Sequence, residues 1–264
     1  MKPTLADATT WIHTYYVHDA SGNVHQVDYE NGKPDQWRHQ YEYDADNRIR
    51  SVKTSRDNVI YDKDAKYFYY AHGPLARVEL GENKVQGMDY AYTLQGWIKG
   101  VNSNTLDSTR DIGRDGDNIP SVPSNPNSIF AADVFGYSLN YFGADYSAID
   151  PNKNLAANNF ITDPSLNTNL ATDAPNLFNG NINSMVTAIR NLDPNKVDAL
   201  GNPIPVGTPL PQLMAYQYDQ LNRIMQAKAY KDIDLALNKW NSETYANRYF
   251  NSFTYEANGN IITQ

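Results

Sequence analysis

Asp111-Ile112-Gly113-Arg114-Asp115-Gly116-Asp117-Asn118 is the densest run of oxygen ligands in the sequence. Carboxylates and amides crowded in this way can gather around Ca²⁺. The run lacks the EF-hand spacing and its closing bidentate glutamate, and Arg110 and Arg114 offset its charge, so the expectation is a solvated loop. Five histidines and no cysteine complete the inventory of reactive side chains. His13, His25 and His39 fall on expected strands without a nucleophile motif beside them. His18 and His72 occupy the ring position of the repeat described below, where packing or a wet lining of the sheet is expected. A thiolate metal site and a disulfide framework are excluded by composition. No catalytic, cofactor-binding or metal-ligating residue is therefore assigned, no cofactor is expected, and the chain reads as a non-enzyme.

The elements that would position any site are β-hairpins. Tyr41 to Val52 reads YEYDADNRIRSV. Aspartate opening a type I turn, with asparagine where the chain must turn left-handed, predicts a three-residue hairpin loop with a bulge. Closing that loop on Ala45-Asp46-Asn47 sets Tyr43 opposite Ile49, Glu42 opposite Arg50 and Tyr41 opposite Ser51. Strand side chains alternate, so Tyr41, Tyr43 and Ile49 share an apolar face and Glu42, Asp44, Arg48 and Arg50 a charge-paired one. Asp44/Arg48 and Asp219/Arg223 read as exposed or lumen-facing pairs worth about 0–1 kcal/mol each.

The same turn recurs at His18 to Val24, Tyr43 to Ile49, His72 to Val78, Tyr92 to Ile98, Tyr218 to Ile224 and Tyr255 to Ile261. Each pairs a ring with a β-branched aliphatic. Two residues upstream stand Tyr16, Tyr41, Tyr70, Tyr90, Tyr216 and Phe253, and the left-handed slot holds Gly22, Asn47, Ala76, Gly96, Asn222 and Gly259. Ala76 is the misfit among them. Trp97 takes the repeat's arginine slot, opposite Thr93, on the polar face, where it could contact the insertion described next or a ligand; packing is expected. Asn31-Gly32, Asp57-Asn58 and Glu82-Asn83 supply turns at the other end, which predicts a meander of about eight strands from Trp11 to Val101. The rhythm stops between Ser103 and Pro211, where eleven of the fourteen prolines lie. Two apolar islands survive there: Ala131 to Ile149, read as a strand pair turning at Gly136 or Gly143, and Asn176 to Ile189, whose Asn179-Gly180-Asn181-Ile182 resembles the second half of the repeat turn.

The expected organisation is repeat hairpins over 1–102, an irregular Pro/Asn-rich insertion with short hairpins docked on the same sheet over 103–211, and hairpins again over 212–264, the chain ending mid-hairpin. The fold class is all-β: an antiparallel meander of repeated hairpins forming part of a curved or spiralling sheet. Twenty tyrosines and a mean hydropathy of −0.65 suit half-buried sheet surfaces. A net charge of −8 argues against nucleic acid or an anionic membrane as partner. No signal peptide and no run long enough to span a membrane is present in the sequence.

YFYYAHGPLARVEL (Tyr67 to Leu80), GMDYAYTLQGWIKGVNS (Gly87 to Ser103) and YQYDQLNRI (Tyr216 to Ile224) resemble YD-repeat proteins of the RHS type, as found in the Bacteroidota. The likeness extends to DIGRDGDN, DVFGYSLNYF and NLFNGNI inside the insertion. It implies a β-sheet that spirals into a hollow shell, within large secreted or surface polypeptides, often around a variable C-terminal toxin. The family's Asp-dependent self-cleavage segment has no counterpart here, so no catalytic residue is carried over. The partners it implies are further repeat hairpins of the same polypeptide or of a neighbouring gene product, and an enclosed toxin domain.

Two functional readings follow. One is a non-catalytic structural segment of a shell wall. The other is a carbohydrate-binding cell-surface module that stacks tyrosines on glycans. They differ in whether Tyr41, Tyr43, Tyr90, Tyr92, Tyr216 and Tyr218 are covered or open to solvent.

Overall fold

A computed structural model describes residues 11–107, 110–115, 127–148, 168–198, 200–234, 239–241 and 249–264. The chain divides into two compact units, Met1–Gly87 and Met88–Gln264, and each is built from antiparallel hairpins. In the first, β1 (Thr14–His18), β2 (Val24–Tyr29), β3 (Trp37–Tyr43), β4 (Ile49–Ser55), β5 (Asp62–Tyr69) and β6 (Leu75–Leu80) each pair with the next.

The second unit opens within β7 (Gln86–Tyr92) and continues through β8 (Ile98–Val101), β9 (Phe135–Asn140), the short helix α1 (Thr168–Asp173) and β10 (Ser184–Arg190). Then come β11 (Pro209–Tyr218), β12 (Ile224–Asp234), β13 (Lys239–Asn241) and β14 (Phe250–Ser252). Strands β7 to β12 pair in chain order, and β12 then pairs with β13 through one part of its length and with β14 through another. A two-stranded hairpin of β15 (Thr254–Tyr255) and β16 (Ile261–Thr263) ends the chain's described structure. The all-β meander and the eight strands expected before Val101 are present.

The first cross-turn pair is as expected, Tyr43 with Ile49, but the register beyond it is not. Arg50 is an extra residue, so Glu42 faces Ser51 and Tyr41 faces Val52. The same one-residue shift follows the turn in every repeat hairpin, with His25, Ala76, Lys99, Met225 and Ile262 bulged. The bulge is the counterpart of the left-handed turn residue, which rotates the returning strand and leaves one residue without a partner.

The third repeat lies three residues earlier than its sequence predicts. Tyr69, not His72, faces an aliphatic, which is Leu75, and Gly73 with φ of 117° fills the left-handed slot instead of Ala76. His72 sits exposed in the turn, stacked on Tyr70 at 5.3 Å between centroids. With this correction the slot is glycine or asparagine throughout: Gly22, Asn47, Gly73, Gly96, Asn222 and Gly259 all have positive φ.

The insertion also departs from expectation. The described part of Ala131 to Ile149, up to residue 148, supplies one strand, β9, and Gly136 lies inside it. A Cβ on Gly136 would sit 2.1 Å from the Ser103 carbonyl oxygen, so this glycine permits a close backbone approach and makes no turn. A further repeat-type turn runs from Val197 to Pro203, with Gly201 in the left-handed slot and Asp198 Oδ1 accepting the N–H groups of Leu200 and Asn202.

Burial differs between the units. In the second, Leu170 and Ala174, in and just after α1, close over Val186, Leu213, Ala215, Tyr230 and Trp240 to form an apolar core. The first unit buries Ala65 and Val78 beside Asp28, Ser51, Thr54, Ser55 and Arg77. Its interior is thus strongly polar and held by pairing: Arg38 bonds Asp28, and Thr54 Oγ1 donates to Asp64 at 2.9 Å.

Candidate functional site

Two constructions stand out, a ladder of side chains along the repeat turns and a buried acidic centre. The ladder begins with the aspartate after each ring. Asp44 Oδ1 accepts the N–H groups of Asp46 and Arg48, both at 2.9 Å, and Asp219 Oδ1 does the same for Leu221 and Arg223. The Arg48 N–H, followed by its side chain, holds the Asp44 carboxyl below the usual carboxylate range. Each turn is thereby rigid enough to aim its neighbours.

What it aims is the arginine and the ring. Arg48 keeps its Nε on Asp44 at 2.8 Å while its guanidinium lies over the Tyr69 ring of the following hairpin, 4.4 Å from the centroid. Tyr69 in turn donates its hydroxyl to the Ile49 carbonyl at 2.7 Å. Arg223, Asp219 and Tyr255 repeat the set in the second unit, with the guanidinium 4.5 Å from the ring and the Tyr255 hydroxyl on the Ile224 carbonyl at 2.6 Å. The tyrosine link recurs from Tyr43 to Val24, from Tyr141 to Ile98 and from Tyr218 to Ile182, at 2.8 to 2.9 Å. At three turns without the arginine, its substitute still reaches the next hairpin. Trp97 packs on Tyr141 at 5.0 Å, as expected of a residue turned towards the insertion. Asn23 and Asn181 instead donate Nδ2 to the side-chain oxygens of Asn47 and Asn222 in the next turn.

The YDxxNR pattern is therefore a lateral clamp between consecutive hairpins, and the Asp/Arg pairs are parts of it rather than isolated pairs. Tyr41, Tyr43, Tyr90, Tyr92, Tyr216 and Tyr218 are all half-buried. Burial pushes the hydroxyls of Tyr43, Tyr69 and Tyr218 up.

The acidic centre lies wholly in the second unit. Asp89, Asp111, Asp115 and Asp133 are 5%, 6%, 3% and 4% exposed. The expectation of a solvated loop fails for Asp111 and Asp115; Gly116, Asp117 and Asn118 lie outside the described residues. Asp89 is fixed from β7 by Asn102, whose Oδ1 accepts the Asp89 N–H at 2.8 Å and whose own N–H returns a bond to the Asp89 carbonyl. Asn102 also donates Nδ2 to the Phe135 carbonyl at 3.0 Å, tying β9 to the same corner. Arg190 donates to three carbonyls, those of Leu106, Asp133 and Gly207, and so anchors the loops without neutralising the carboxylates directly.

Ligand oxygens of Asp89, Asp111 and Asp115 lie within 4.8 Å of one another. Asp133 joins them electrostatically: burial first, then the charge of Asp111, with Asp115 and Asp89 behind it, pushes its carboxyl up to about 9. Sequence reasoning found Asp111 and Asp115 by their density. It missed Asp89 and Asp133, which approach from β7 and from the segment before β9.

A separate buried ion pair joins the insertion to the repeat. Lys99, the bulged residue of its hairpin, donates Nζ to Asp145 at 2.6 Å and to Asn140 at 2.8 Å. Of the histidines, His13 stacks on Tyr15, His39 on Tyr41, and His25 Nδ1 lies 3.2 Å from the Tyr41 carbonyl, while His18 is an exposed strand residue. Among the described residues no helix is long and apolar enough to cross a membrane.

The class that fold and ladder define is an all-β protein of repeated, clamped hairpins. No family model matches the chain, and no curated protein matches it. Among solved structures it is similar to the crystal structure of TcdB2-TccC3-Cdc42, at 12% identity over 95% of this chain and 10% of that one, with a TM-score of 0.42. It is also similar to a Photorhabdus luminescens Tc holotoxin pore with a mutated TccC3, at 11% identity over 94% of this chain and 12% of that one, with a TM-score of 0.38. The chain spans about a tenth of the length of those chains.

Proposed function

We propose that this chain is a non-catalytic segment of a β-shell wall, whose work is to pair hairpin with hairpin around an enclosed toxin or effector domain. The observation that carries the reading is the clamp. Its most repetitive side chains, Tyr43, Tyr69, Tyr141, Tyr218 and Tyr255, each spend the hydroxyl on a carbonyl of the preceding turn. Residues so engaged are framework, and the RHS-type resemblance of the same motif supplies the role such a framework would have. The partners on this reading are further repeat hairpins and a cargo domain, in a secreted or cell-surface setting.

Protease protection tests it. A domain carried within walls of this kind should resist digestion, and Tyr43→Phe combined with Tyr218→Phe should loosen the wall and expose it. Equal digestion of cargo with intact and broken clamps would overturn the enclosing role. A glycan array addresses the carbohydrate-binding alternative: saturable binding lost on Trp37→Ala and Tyr41→Ala, on the aromatic row of β3, would replace the structural reading.

A further inference from the structure

Four carboxylates buried together are costly unless something positive or a proton joins them. In this centre the oxygens of Asp89, Asp111 and Asp115 converge within 4.8 Å. A second observation concerns Asp111 alone. Its Oδ2 accepts the Asp115 N–H at 3.0 Å, whereas its Oδ1 is wholly buried and receives no hydrogen bond among the described residues. A buried anionic oxygen left in that state is an acceptor prepared for a ligand. Arg190, which anchors the loops around the centre, donates to backbone carbonyls.

We propose that Asp89, Asp111 and Asp115 bind a calcium ion that pins the first insertion loop to β7. The donor set is oxygen only, with neither histidine nor cysteine in it, which suits a hard cation and disfavours zinc or copper. Two oxygens on one Ca²⁺ are separated by at most twice a bond of about 2.3–2.6 Å, so the observed convergence fits a shared ion. Ca²⁺ also tolerates the irregular geometry that an irregular loop and a strand jointly offer, where Mg²⁺ demands a near-ideal octahedron. The ion would replace side-chain packing as the tie between the loop and the repeat sheet. The competing way to relieve the crowding is a proton held between Asp133 and Asp111.

The test is calcium binding by the purified chain after chelator treatment, at neutral pH and physiological ionic strength. Equilibrium dialysis should find about one tightly held Ca²⁺ per chain. At free Ca²⁺ about a hundredfold above its dissociation constant, the melting midpoint should rise by about 5–10 °C over that in chelator. Asp111→Asn should weaken binding at least about tenfold, since it removes one of the few charged ligands. In chelator that variant should melt at or above the wild-type temperature, because one of the crowded charges is gone. If it fails to fold, Asp89→Asn gives the same readout, and wild-type dialysis decides the matter without either. No bound Ca²⁺ and no shift at millimolar Ca²⁺ would overturn the proposal. An equal response to Mg²⁺ would overturn the calcium assignment. A variant less stable than wild type in chelator, with calcium binding unchanged, would assign the cluster to the shared proton.

Discussion

Asn222, at φ of 63°, shows how much one residue can decide. A β-branched side chain resists this conformation, so Asn222→Val should cost about 1–3 kcal/mol. Asn222→Gly should be near neutral, since it forfeits only exposed bonds to Asn179 and Asn181. Thermal melts of the two variants check this; coincident midpoints would contradict the turn geometry. At Asp44 the backbone N–H of Arg48, then its side chain, holds the folded-state carboxyl below its ordinary value of 3.8. A depressed folded pKa stabilises above the unfolded value and loses that contribution as pH falls through the folded one. Stability should therefore decline below about pH 4, and Asp44→Asn should flatten this part of the acid limb in a pH series of denaturant melts.

Hairpins are coupled through the arginine and the ring it covers. Arg223→Ala and Tyr255→Phe each break part of one clamp, and a double-mutant cycle should return a coupling of about 0.5–2 kcal/mol. Additive effects would mean the stacking and the hydroxyl bond act independently. The ring-to-aliphatic pair and the left-handed slot were legible in the sequence because local turn chemistry dictates both. The one-residue shift after each turn was not carried into the register, although a bulge is implied by the turn itself, so Ser51 was set against Tyr41 instead of Glu42. In the third repeat Tyr69 and His72 offer competing frames three residues apart, and only the glycine at 73, with its positive φ, selects Tyr69. The turn at Val197 to Pro203 has valine in the ring slot and proline in the aliphatic slot, so the marks of the others are missing. The acidic centre was half visible, since only two of its four members are neighbours in sequence.

At the scale of the whole molecule, stability is unevenly spread. Within the second unit, Val186, Leu213, Ala215 and Tyr230 are at most 1% exposed, whereas all three residues of β16 are exposed in a two-stranded hairpin. Two strands alone are marginal in water. Hydrogen exchange should thus be slowest at the amides of Val186, Leu213 and Tyr230 and fastest at Ile261 to Thr263. Uniform protection across the unit would show that the hairpins melt as one cooperative block.

The tyrosine links also have a direction. In the five described above the hydroxyl belongs to the later hairpin and the carbonyl to the earlier: Tyr43 to Val24, Tyr69 to Ile49, Tyr141 to Ile98, Tyr218 to Ile182, Tyr255 to Ile224. A ribosome makes the acceptor before the donor. A hairpin carrying one of these tyrosines therefore leaves the exit tunnel to meet a docking point already in place, and the sheet can be laid down hairpin by hairpin as it is translated.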